Sequence, residues 1–263
     1  MNYRTILLDK SDRIATLTLN RPKVLNGISF EMMGEINQAL EEIRGTASIK
    51  ALVVTGAGRA FSVGADLGLL TEAFGDEQNI KFRYFLETIN QMLLNVESMP
   101  IPVIGKVNGL ARAGGFELIL CCDLVVVADE AQVGDNHTAF GVMPGGGSTQ
   151  RAPRKLGWQK ALELIYTGRW LNGQEAVDYG IALRSVPLGE LDAAVESIVS
   201  HLREKSRDCL GFVKKASFHG LHQPIREGVN NEIRYFLEYL GTSPDAREGF
   251  NASREKRNPA FAD

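Results

Sequence analysis

The chain has 263 residues with 29 Lys+Arg against 32 Asp+Glu, a formal net charge of −3. With 44% hydrophobic and 23% charged residues it has the balance of a globular protein long enough to bury a sizeable core, and it gives no electrostatic reason to expect nucleic acid or an anionic membrane as partner. Every apolar run falls far short of the ~18 residues that span a bilayer, residues 1–13 lack the order of a signal peptide, and three cysteines, two of them adjacent at Cys121 and Cys122, make neither a disulfide framework nor a metal-ligand spacing, so a cytoplasmic location is expected.

The first twenty residues predict two strands joined by a turn, with Ala15, Leu17 and Leu19 on one face of the second. Ser29 then caps a helix in which Phe30, Met33, Ile36, Leu40 and Ile43 recur at three- and four-residue steps. A buried strand at 51–54 leads into the loop 56–66. Residues 78–98 form a long amphipathic helix through Ile80, Phe85, Ile89, Met92 and Val96, stopped by Pro100 and Pro102. A strand at 103–107 and a turn at Asn108-Gly109 follow, and Gly114-Gly115 opens an apolar helix through Cys122. The strand 124–127 completes a recurring order of strand, glycine turn and helix, which predicts layered α/β architecture built from short crossover units. No repeat of fixed period is visible. Beyond about residue 187 the strand signals vanish, and 190–204, 207–218, 224–240 and 244–256 all read as helices, the last with Pro244 at its first position. The chain therefore divides into a mixed α/β core, 1–190, and a helical C-terminal region, 191–263.

Glycine-rich loops invite nucleotide readings, and these fail. The residue three after Gly58 is Phe61, no glycine precedes Lys and then Ser or Thr, and Gly145-Gly146-Gly147-Ser148-Thr149 lacks the phosphate-binding lysine. The stretch Ala60-Phe61-Ser62-Val63-Gly64 begins with alanine where a hydrolase elbow has glycine.

Two loops remain, 60–66 and 109–117. Backbone N–H groups at a helix start have no intrahelical acceptor. If Gly64-Ala65 supplies a second free N–H across from Gly114, the two form an oxyanion hole, each donor worth ~3–4 kcal/mol on a developing enolate. The simpler reading is that these glycines only allow tight turns. Glu117 lies three residues past Gly114 inside the apolar run 116–121. There it is either a partly desolvated acid–base group or a first-turn carboxylate placed for the helix dipole, and physics alone leaves both readings open.

Together these residues carry a family resemblance. Ala60-Phe61-Ser62-Val63-Gly64-Ala65-Asp66-Leu67, then Asn108-Gly109-Leu110-Ala111 through Gly114-Gly115-Phe116-Glu117-Leu118, resemble the crotonase (enoyl-CoA hydratase/isomerase) superfamily. Leu19-Asn20-Arg21-Pro22, Phe140-Gly141-Val142-Met143-Pro144-Gly145 and Thr149-Gln150-Arg151 match in the same order, so the resemblance spans nearly the whole chain. It implies a spiral of ββα units with a C-terminal helical region that builds homotrimers or homohexamers. It implies an acyl-CoA thioester substrate, with CoA part of that substrate, no separate cofactor and no metal. By motif position the oxyanion donors fall on Ala65 and Gly114. Ala65, Asp66, Leu67 and Gly68 would lie along the CoA, and Lys23 and Lys256 match positions that meet its phosphates.

Hydratases of the family use two glutamates twenty positions apart. The first matches Glu117, but position 137 holds His137, in Asp135-Asn136-His137-Thr138. Imidazole moves protons near neutral pH, so the exchange keeps acid–base capacity while changing the charge sequence. Simple isomerases of the family tend to keep the second acid rather than the first, so retention of Glu117 favours hydratase chemistry. Gly68, Arg112-Ala113 and Ser253 also depart from the usual residues. Outside these loops, Trp158 and Trp170 are expected in packing, and Cys121 and Cys122 as inert buried thiols. The expectation is an enzyme that hydrates a 2-enoyl-CoA, with Glu117 and His137 sharing the proton work. The alternatives are an isomerase or C–C bond hydrolase of the same superfamily, or a non-catalytic CoA-thioester-binding paralogue.

Overall fold

The computed structural model describes residues 3–74 and 80–262. Strand β1 (Ile6–Ser11) pairs antiparallel with β2 (Ile14–Leu19). Helix α1 (Phe30–Arg44) starts where Ser29 accepts the Met32 N–H, as predicted. Then follow β3 (Ala51–Gly56), β4 (Ala60–Ser62), α2 (Leu67–Phe74), α3 (Ile80–Glu97), β5 (Val103–Val107), β6 (Leu110–Arg112), α4 (Gly114–Leu120), β7 (Leu124–Ala128) and β8 (Val133–Gly134). Helices α5 (Ser148–Leu156), α6 (Trp158–Thr167) and α7 (Gly173–Tyr179) precede the short strand β9 (Arg184–Val186). Four helices close the chain: α8 (Leu191–Arg203), α9 (Arg207–Gly220), α10 (Ile225–Thr242) and α11 (Asp245–Glu255). The last begins at Asp245 with Pro244 as its cap, one position later than the sequence suggests.

Two sheets organise the core. The larger runs β1-β2-β3-β5-β7-β9, all parallel after the first pair, and the smaller runs β4-β6-β8, also parallel. Each of β3, β5 and β7 is followed by a short strand of the small sheet and then by a helix. A single bridge between Ile28 and Ala65 extends the order back to β2 and α1. This is a spiral of ββα units, and it repeats in space without a fixed period in sequence because the helix and loop of each unit differ in length. The second strand of each unit was not predicted. At two or three residues these strands are too short to show an alternation.

Strand β3 is buried along its whole length, which explains its continuous apolar run. Parallel strands covered on both faces lose the inside–outside alternation. Helix α1 lies against β1 and β2, and α8 lies against β3, β5 and β7. Among the described residues no helix is long and apolar enough to cross a membrane.

One buried polar side chain ties the first two turns of the spiral together. Asn26 is fully buried at φ 57°, a conformation that asparagine tolerates better than most residues. Its Nδ2 donates to the carbonyls of Ala57, Ala60 and Phe61 at 3.0, 2.8 and 3.1 Å, and its Oδ1 accepts the Arg21 N–H at 2.9 Å. An Asn26→Ala variant would leave these groups without partners. It is expected to lose about 3 kcal/mol or more of unfolding free energy, read by urea denaturation; a loss under 1 kcal/mol would show that the plug is dispensable.

Candidate active site

The carboxyl ends of the three small-sheet strands converge. After β4 the chain runs through Gly64 and Ala65, after β6 through Ala113 and Gly114, and after β8 through Asp135 to His137. Parallel pairing sets these three exits side by side.

The first loop is fixed by its neighbours. Val63 N–H donates to Leu25 O, Gly64 N–H to Ser62 Oγ and Asp66 N–H to Ile28 O, while Gly64 O accepts from Ile28 N. Between these occupied groups the Ala65 N–H has no acceptor among the described residues. The second loop repeats the arrangement. Ala113 N–H donates to Asp135 O, and the Gly114 N–H, first in its helix, has no acceptor among the described residues. The two backbones nearly touch. A Cβ on Gly64 would stand 2.6 Å from Gly114 N, and one on Gly114 would stand 3.2 Å from Gly64 Cα and 3.6 Å from Ala65 N. Side chains at 64 and 114 would thus push the two free donors apart.

Glu117 sits on the first turn of α4, only 2% exposed. Its Oε1 accepts the N–H groups of Gly146 at 2.7 Å and Ser148 at 3.2 Å. Those groups belong to the start of α5, so the glycine run 145–147 that fails as a phosphate loop seats the chain's own carboxylate. A Cβ on Gly146 would lie 2.2 Å from Glu117 Oε2, so a side chain there would displace the carboxylate. Sequence showed the glycines and the carboxylate but not that they meet. Burial pushes the Glu117 carboxyl up, and the Asp135 charge adds to this; His137 and the two N–H donors oppose it without cancelling it.

His137 lies at the start of a short turn, its side chain 16% exposed. Its Nδ1 is 3.0 Å from Asp135 Oδ1. Burial lowers the basicity of the imidazole, but the bond to Asp135 and the charges of Asp135 and Glu117 outweigh it and hold the group above its ordinary value. The charges of Glu117 and His137 act on each other, each favouring the other's ionised form.

The other predicted residues divide. Asp66 Oδ2 is paired with Arg21 at 2.8 Å and its Oδ1 accepts the Gly68 N–H, which together hold its carboxyl below the usual range despite partial burial. It braces the Ala65 loop. Leu67 and Gly68 open α2, and Lys23 lies exposed on the turn that carries Arg21. Lys256 is set apart. It ends α11, which packs on α9 and α10, and α9 packs beside Ile49 and Pro100, ahead of β3 and β5. Within one chain that is the far end of the large sheet from the small-sheet exits. By sequence position an acyl pocket would be shaped by residues 68–90 and the C-terminal helices, and of that stretch 75–79 lie outside the described residues.

Cys121 and Cys122 are buried, with Cys122 pushed up to about 12 by burial, as expected of inert thiols. Trp158 is 69% exposed and does not pack within the chain, because it is the first residue of its helix and faces outward. Among the described residues no cluster of His, Cys, Asp and Glu could hold a metal ion.

Comparison with known proteins identifies the family. The family model described as enoyl-CoA hydratase/isomerase matches residues 9–263. A probable enoyl-CoA hydratase of Mycobacterium bovis is 33% identical over 262 residues, 99% of each chain. A crotonyl-CoA hydratase of Syntrophomonas wolfei is 32% identical with the same coverage. The crystal structure of an enoyl-CoA hydratase from Bacillus anthracis superposes with a TM-score of 0.91 at 33% identity, covering 98% of this chain and 99% of that one.

One strained residue stands beside the free donors. Ala113 has φ 47° and ψ −121°, a region that disfavours any Cβ. Ala113→Gly is expected to raise stability by about 1 kcal/mol, seen as a higher thermal midpoint. A lower midpoint would show that the alanine methyl contributes more through packing than it costs in strain.

Proposed function

The chain belongs to the enoyl-CoA hydratase/isomerase family, and from that premise we propose that it adds water across the double bond of a 2-enoyl-CoA thioester. The observation that carries the reading is the meeting, at the small-sheet exits, of two acceptor-free N–H groups with a buried carboxylate and an imidazole. The thioester oxygen lies between Ala65 N–H and Gly114 N–H. Donors fixed in advance stabilise the enolate that forms when water attacks, each worth ~3–4 kcal/mol at that stage. Glu117 Oε1 is occupied by Gly146 and Ser148, which leaves Oε2 to orient the water and take its proton. His137 shares the proton work at Cα. Asp66, Leu67 and Gly68 run along the CoA, and Lys23 reaches its phosphates.

Lys256 fits the same role only from a neighbouring subunit, since its own chain holds it away from the site. Helices α9 to α11 expose Val213, Phe218, Leu221, Ile225, Phe236 and Phe250, an apolar surface suited to copies of the same chain. The assembly we propose is a homotrimer or a pair of trimers. Light scattering should then give three or six times 28.8 kDa, and a monomeric mass would refute it.

Purified protein should consume the conjugated absorbance of crotonyl-CoA and place solvent oxygen in the product, whereas isomerisation incorporates none. Glu117→Gln should lower kcat by about 10²–10⁴-fold, and His137→Ala by about 10²-fold or more, both with the circular dichroism spectrum retained. Near-normal turnover in Glu117→Gln would sink the assignment.

A further inference from the structure

Asp135 is a fully buried carboxylate that the proposed chemistry has not used. Its Oδ2 has no hydrogen-bond partner among the described residues, an expensive state for a buried anion. Its Oδ1 faces His137 twice, 3.0 Å from Nδ1 and 3.3 Å from the backbone N–H, an Asx turn that locks the two residues together. Its carbonyl accepts the Ala113 N–H at 3.0 Å, tying the same residue to the loop that ends in Gly114. His137 Nε2 is left without a partner among the described residues.

Building on the hydratase reading, we propose that Asp135 is a positioning residue that holds His137 through Nδ1 and keeps it protonated, so that the imidazolium Nε2–H is the proton donor to Cα. Two carboxyl groups face His137: Asp135 from its own turn and Glu117 from α4. Both favour the cation. The nearby guanidinium of Arg112 on β6 is turned to the Phe140 ring, 5.6 Å from its centroid. On the α6 side the turn meets the Ile165 carbonyl, and Glu163, Arg169 and Glu175 pair among themselves.

The roles of the two acid–base groups then separate. Glu117 takes a proton from water as the water oxygen bonds to Cβ, and the double-bond electrons move to the thioester oxygen as an enolate. The enolate collapses, and Cα takes the proton from His137 Nε2. Transfer of the proton on Glu117 to the neutral imidazole restores both groups. The sum is one water added, with the enzyme unchanged. A glutamate in the 137 slot would be a neutral donor, so the Asp135–His137 pair replaces one acid by a cation balanced by its own buried anion.

The test follows the imidazole by NMR in protein labelled with ¹⁵N-histidine, with the His137 signals assigned from their loss in His137→Ala. In Asp135→Asn the His137 titration midpoint should fall by about one pH unit or more. The alkaline limb of the kcat profile should move down with it, and kcat at neutral pH should fall about tenfold or more with KM little changed. An unmoved midpoint in a folded Asp135→Asn would overturn the pairing while leaving the hydratase reading standing. If that variant does not fold, the wild-type spectrum decides. Both ring nitrogens protonated at neutral pH supports the proposal, and a neutral ring overturns it. Failure of the wild type to hydrate crotonyl-CoA, with an Asp135-dependent midpoint, would overturn the hydratase reading and the donor role with it.

Discussion

The contact between residue 64 and residue 114 is the constraint on which the site depends. Two loops leaving adjacent parallel strands come within reach of each other only because neither carries a side chain there, with 2.6 Å left between a Cβ at 64 and the Gly114 nitrogen. That approach brings the Ala65 and Gly114 nitrogens close together. Around it every neighbouring N–H of the first loop is already engaged, so the free donor is singled out by the hydrogen bonding of its surroundings. Arg21 paired with Asp66, and Asn26 bonded to three carbonyls, hold the same loop from behind. The donors are therefore preorganised, and no reorganisation need accompany charge development.

The second theme is the cost of burying charge. Glu117 and Asp135 both lie out of water, and neither has a lysine or arginine as direct partner among the ion pairs described. Glu117 is accommodated by two backbone N–H groups at the start of α5. Asp135 is accommodated by His137. A carboxylate held by backbone donors stays available to take a proton, and a carboxylate held by an imidazole makes that imidazole a better cation. The same physical problem has two solutions in neighbouring turns of the spiral, and the difference between them is what separates a base from an acid in the proposed reaction.

The helical C-terminal part follows another logic. Helix α9 packs beside the start of β3 and β5 with α10 and α11 on it, and these helices leave large apolar side chains facing outward. That exposed apolar surface, together with the isolation of Lys256 from the remaining site residues, is what the proposed assembly rests on.

Much of this was legible in the sequence. Helix α1 with its Ser29 cap, the long helix ending before Pro100, the buried strands and the four C-terminal helices follow from periodicity and capping, which are local properties. The candidate site residues were legible by motif position, because Gly64, Gly114 and Glu117 lie in patterned loops. Strands β4, β6 and β8 were not, since two or three residues carry no period and their pairing joins segments from about twenty to fifty positions apart along the chain. Nor was the use of the glycines at 145–147, or of Asp135, whose local sequence is that of an ordinary turn. Sequence by itself determined which chemical groups the chain carries and which local elements it forms; the tertiary structure alone decided which of those groups meet, because a buried carboxylate acquires its character from partners brought to it across the fold.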